Sequence, residues 1–158
     1  MTRLLTTLLL SFGLALSAHA TEAPDFTLKS ASGENLRLAE QRGQVVMINF
    51  WASWCPPCLQ EMPLLDEIYQ RYQPAGFNLL GINVEQDTAA AEALLEELGV
   101  SFPILFDPDN QVSRDYQVQA MPTTVLVDKN GVVRYVNRGY QPGDEDKYRA
   151  QVRELIRE

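Results

Sequence analysis

Apolar positions along this chain follow strand and helix periods in turn. Val45-Val46-Met47-Ile48-Asn49-Phe50-Trp51 is a near-continuous apolar run, as required of an interior parallel strand, which is buried on both faces. Leu59, Met62, Leu65, Tyr69 and Tyr72 then recur at helical spacing and predict a helix from about 56 to 73, kinked where Pro63 removes a backbone donor. Gly76 ends that stretch, and Phe77 to Val84 reads as a second buried strand. Strand, helix and strand at this length imply a right-handed parallel crossover.

The flanks follow the same logic. Asp25 to Lys29 and Asn35 to Leu38, separated by a turn containing Gly33, predict a hairpin. Thr88 to Leu98 is rich in Ala, Leu and Glu and reads as a helix, with Gly99 as its C-cap. A short strand over Pro103 to Phe106 and a short helix over Asn110 to Tyr116 follow. Thr123 to Val127 and Val132 to Asn137 flank Asp128-Lys129-Asn130-Gly131, whose Asn-Gly is a strong hairpin signal. A last amphipathic helix is expected from about Asp144 to Arg157, carrying Tyr148, Val152, Leu155 and Ile156. Tyr69, Tyr72, Tyr116 and Tyr135 fit packing roles, as does Trp51.

With 158 residues, 46% of them hydrophobic, the chain has enough material for one α/β core. The first twenty residues stand apart. Arg3 precedes the uncharged, largely apolar stretch Leu4 to Leu16, and Ala18-His19-Ala20 has the small-x-small form of a signal-peptidase site. The expectation is a cleaved export signal over 1–20 and one domain over 21–158, an uncleaved N-terminal anchor being the alternative. After cleavage no stable membrane insertion is expected. Loss of the single charge of Arg3 takes the formal net charge from −8 to −9, a balance that disfavours nucleic acid as a partner.

The chain holds only two cysteines, Cys55 and Cys58, in Trp54-Cys55-Pro56-Pro57-Cys58. They fall where the buried strand hands over to the helix, and a cysteine at a helix N-terminus near a second sulfur has a lowered pKa. That placement points to dithiol redox chemistry with Cys55 as attacker. Cys58, inside the first turn, should be more covered and harder to ionise. A structural disulfide is the competing reading, but so small a loop stabilises little. Structural zinc needs about four ligands, and the only histidine, His19, lies in the signal segment. The same lack of imidazole argues against a Cys-His or Ser-His hydrolase.

These features together resemble the exported TlpA/ResA-like thiol-disulfide oxidoreductases of the thioredoxin fold, a branch that includes cytochrome c maturation proteins. The carriers are Asn49-Phe50-Trp51-Ala52-Ser53-Trp54-Cys55-Pro56-Pro57-Cys58, the downstream Met121-Pro122-Thr123-Thr124, the opening Ala23 to Leu28, and a strand-helix segment near 77–106 that resembles the branch's central insertion. The resemblance implies a central mixed sheet flanked by helices, an N-terminal hairpin, and no cofactor or metal. Cys55 becomes the nucleophile and Cys58 the resolver of a mixed disulfide. Pro122 matches the family's cis-proline, which an X-Pro bond alone would rarely justify. Trp54, Pro56, Met121, Pro122 and Thr123 form the implied substrate-docking surface.

One departure from thioredoxin bears on the chemistry. Where thioredoxin has a buried aspartate that assists the resolving cysteine, this chain has Asn49, which cannot take a proton. Glu61, about one helical turn beyond Cys58, resembles an active-site glutamate of the branch and is the replacement candidate; the alternative is a solvated helical face. The implied partners are proteins bearing disulfides and a membrane thiol-disulfide electron donor. Pro56-Pro57 provides no cation to stabilise a thiolate, which leans toward a reductase rather than an oxidase or isomerase. A Cu(I) carrier using both thiolates and Met121 is the alternative from another class, and a peroxiredoxin, which shares the opening and the fold, ranks last.

Overall fold

A computed structural model describes residues 21–158, so the expected signal segment lies outside the described residues. Seven strands form one mixed sheet: β1 (Thr27–Ser30), β2 (Asn35–Arg37), β3 (Val45–Trp51), β4 (Phe77–Asn83), β5 (Ile104–Phe106), β6 (Thr123–Val127) and β7 (Val133–Arg138), in the order β2-β1-β5-β4-β3-β6-β7. The helices are α1 (Pro56–Tyr72), α2 (Ala89–Leu98), α3 (Gln111–Asp115) and α4 (Asp144–Arg157). α1 continues through Pro63 to Tyr72.

β3 is buried along its whole length because it has neighbours on both sides, parallel to β4 and antiparallel to β6. Its pleat sends Val45, Met47 and Trp51 to one layer and Val46, Ile48 and Phe50 to the other. The first layer is closed by Met62, Leu65 and Ile68 of α1 and by Tyr148, Val152 and Leu155 of α4. Phe26, Leu38, Val112 and Tyr116 close the second.

β5 joins the hairpin to this core, pairing in parallel with β4 and antiparallel with β1. Gly81 makes the close approach there: a Cβ on it would lie 2.8 Å from the side chains of both Ile104 and Phe102. At the far end of the sheet, residues just ahead of β1 pair with the β6–β7 turn, through a bridge between Glu22 and Val132 and a hydrogen bond from the Ala23 N–H to the Gly131 carbonyl. No described helix is long and apolar enough to cross a membrane.

Candidate active site

Cys55 and Cys58 are bonded to each other, with Cα atoms 5.3 Å apart. Cys55 is the N-cap of α1, and the prolines occupy the helix's first two positions. A helix start leaves several backbone N–H groups without an intrahelical acceptor, and here all are accounted for. The Cys55 N–H donates to the Ala52 carbonyl at 3.2 Å. Pro56 and Pro57 have none to offer. The Cys58 N–H donates to Cys55 Sγ at 3.3 Å. The positive end of the helix therefore presents one amide to this sulfur, where non-proline residues would add others.

Burial orders the cysteines as the sequence suggests, but narrowly. Cys55 is 4% exposed and Cys58 fully buried, so Cys58 is the more covered of the two by a small margin. What distinguishes them further is the amide aimed at Cys55 alone. Trp54, immediately before, is 66% exposed, and with Met121, Val84 and Val118 it lines a groove of about 400 Å³. The Met121-Pro122 bond is cis, and Thr123 behind it opens β6 opposite Phe50. Trp54, Met121, Pro122 and Thr123 thus lie on the segments that border the cysteine turn. Cavities of about 430 and 540 Å³ occur elsewhere, one by the β6–β7 turn and one beside the β1–β2 hairpin, but neither contains a cysteine.

Glu61 is fully buried. The buried residues of α1 are Cys58, Glu61, Met62, Leu65, Asp66, Ile68 and Tyr72, so the Glu61 carboxyl falls in a largely apolar face one turn beyond Cys58. Asn49 donates one amide N–H to Glu61 Oε2 at 2.9 Å and the other to Thr124 Oγ1 at 2.9 Å. The Thr124 hydroxyl reaches toward Oε1 at 3.5 Å. Desolvation raises the Glu61 pKa to about 7, against the hydrogen bonds that favour the carboxylate. A group titrating there is suited to exchanging a proton near neutral pH.

Glu85 is a residue that sequence reasoning missed. Its carboxylate accepts the Ser53 N–H, the Ser53 hydroxyl and the Asn83 amide, which ties the turn between Trp51 and Cys55 to the end of β4. The Asn83 to Glu85 spacing after a buried strand was the available signal, but nothing local connects it to Ser53.

Comparison with known proteins agrees with this geometry. A family model described as the AhpC/TSA family matches residues 20–136. The chain is 41% identical over 122 residues to the thiol-disulfide oxidoreductase ResA of Geobacillus kaustophilus, covering 77% of this chain and 70% of that one. It is 33% identical to ResA of Bacillus subtilis, covering 77% and 68% respectively. Among solved structures, a thiol:disulfide interchange protein DsbE assignment from Chlorobium tepidum superposes with a TM-score of 0.84 at 34% identity, over 87% of this chain and 96% of that one. With its paired cysteines at a helix N-terminus, the chain belongs to the thiol-disulfide oxidoreductases of the thioredoxin fold, within the AhpC/TSA family.

Proposed function

We propose that this protein is an exported reductase of protein disulfides, acting in the part of the cell where cytochrome c is matured and re-reduced by a membrane dithiol donor. The observation that carries the reading is the pairing of Cys55–Cys58 at the start of α1 with a buried carboxyl one turn further along. The Cys55 thiolate attacks one sulfur of a substrate disulfide, forming a mixed disulfide and releasing the other substrate sulfur as a thiolate. Cys58 gives its proton to Glu61 and attacks Cys55 Sγ, which releases the second substrate thiolate and leaves the Cys55–Cys58 disulfide. The substrate gains two electrons and the enzyme loses two; the donor dithiol returns them.

Direction follows from the helix start. A strong oxidant owes its potential to stabilisation of the reduced thiolate, and Pro56 and Pro57 leave a single N–H aimed at Cys55 Sγ. That supports a reductant. Trp54, Pro56 and Met121-Pro122-Thr123 form the docking surface, an extended substrate segment lying in the groove beside the disulfide. The signal over residues 1–20 would deliver domain 21–158 to the exported compartment.

The test is capture. Cys58→Ser should accumulate mixed disulfides with exported proteins through Cys55, whereas Cys55→Ser should capture none. In the reduced protein, mildly acidic alkylation should label Cys55 first. Labelling of Cys58 first would reverse the roles, and a reduction potential in the range of strong oxidants would overturn the reductase assignment.

A further inference from the structure

Thr124 stands opposite Asn49 in the β3–β6 ladder and is buried. Its hydroxyl accepts one Asn49 N–H at 2.9 Å and points its own hydrogen toward Glu61 Oε1 at 3.5 Å, while the second Asn49 N–H goes to Oε2. Both amide hydrogens are committed, so Asn49 acts here as a donor alone.

A buried glutamate that takes up and returns a proton needs neighbours suited to both forms. The carboxylate only accepts; the neutral acid must also donate. Asn49 serves Oε2 in either form. A proton on Oε1 needs an acceptor, and the Thr124 oxygen has a lone pair beyond the one Asn49 uses. Rotation of the hydroxyl about its C–O bond changes it from donor to acceptor without moving a heavy atom. Its hydrogen can then turn toward the buried hydroxyl of Tyr148, which lies beside both Thr124 and Glu61.

We propose that Thr124 is a positioning residue for proton transfer, donating to Glu61 when the carboxyl is ionised and accepting from it when protonated. The proposal rests on the reading of Glu61 as the group that takes the Cys58 proton. The other titratable groups that face or influence Glu61 are Cys58 on its own helix, Asp144 and Tyr148 of α4, and Tyr140 ahead of α4. From the sheet, β3 and β6 contribute the neutral Asn49 and Thr124.

Thr124→Val keeps the shape and removes the hydroxyl; Thr124→Ser keeps the hydroxyl. The Glu61 carboxyl would be titrated by NMR in the oxidised protein, where neither cysteine ionises. Decay of a mixed disulfide with a peptide substrate would be timed against pH. A hydrogen bond to a charged group is about twice as strong as a neutral one, so losing the hydroxyl harms the carboxylate more than the acid. The valine variant should titrate roughly 0.5–1 unit higher, with the midpoint of the resolving rate moved up equally, and serine should restore both. A valine variant that titrates like the parent overturns the proposal. A shifted titration with an unshifted rate profile would show that Thr124 bonds the Glu61 carboxyl but that Glu61 is not the acceptor of the Cys58 proton, and would overturn the role in proton transfer. If valine does not fold, Thr124→Ala carries the same comparison.

Discussion

The carboxylate of Glu85 grips Ser53 with both oxygens, accepting the backbone N–H at 2.7 Å on one and the hydroxyl at 2.7 Å on the other. Asn83, buried at the end of β4, adds a third donor at 2.8 Å. Burial raises this carboxyl's pKa, but the bonds from Asn83 and Ser53 outweigh it and hold the value below the ordinary glutamate range. The group is therefore ionised at neutral pH and fixes the turn that carries Trp54 and Cys55. Glu85→Gln keeps the volume but sets an amide N–H₂ against one of these donors. An unmet, partly buried donor costs about 1–3 kcal/mol. The variant should lose stability by about that amount in denaturant titration and attack substrate several-fold more slowly; parental values in both measurements would show that the turn holds without the carboxylate.

Trp54 presents a different case, because it is the largest exposed apolar side chain here, at 66%, and it has little packing to lose. Trp54→Ala should change unfolding free energy by no more than about 0.5 kcal/mol, the usual range for surface substitutions. Its effect should fall on protein substrates. We expect the rate of attack on a protein disulfide to drop about tenfold or more, the cost of one aromatic anchor at an interface, and the rate on a small disulfide reagent to drop far less. Equal losses on both substrates would place Trp54 in the geometry of Cys55 rather than in docking.

What the sequence discloses depends on how local each feature is. The β3 run, the α1 spacing and the Asn130-Gly131 turn are set by neighbours within a few residues, and the structure has each in its place. The N-cap position of Cys55 was legible for the same reason. β5 was found as a strand, but its pairing to β1 and β4 depends on contacts far apart in sequence. The Ser53–Glu85 grip spans 32 residues and leaves no periodic trace. Glu61 lies between these cases. It falls in the stripe formed with Cys58, Met62 and Leu65, so projection onto a helix marks it as a carboxyl on an apolar face, while the depth of its burial depends on α4 and β6 closing over it.

That burial gives Glu61 a measurable thermodynamic signature. Its pKa in the folded protein is about 7, against an ordinary value of 4.5, so between these pH values the native state holds a proton that the unfolded chain has released. Stability falls with rising pH wherever the native state binds more protons. The contribution of the neutral acid is thus fully present below about pH 4.5, declines through the interval and is gone once the pH passes 7. A shift of this size corresponds to roughly 3 kcal/mol at most, and less if the site relaxes on ionisation. Glu61→Gln carries no such titration. In the oxidised protein, where the cysteines are silent, the parent should therefore lose stability relative to the glutamine variant on going from pH 4.5 to pH 8, by about 2–3 kcal/mol. Denaturant unfolding of both proteins across that range measures the difference directly. Parallel curves would mean that the Glu61 carboxyl titrates as an exposed one does, and the proposed proton transfer from Cys58 would then need another acceptor.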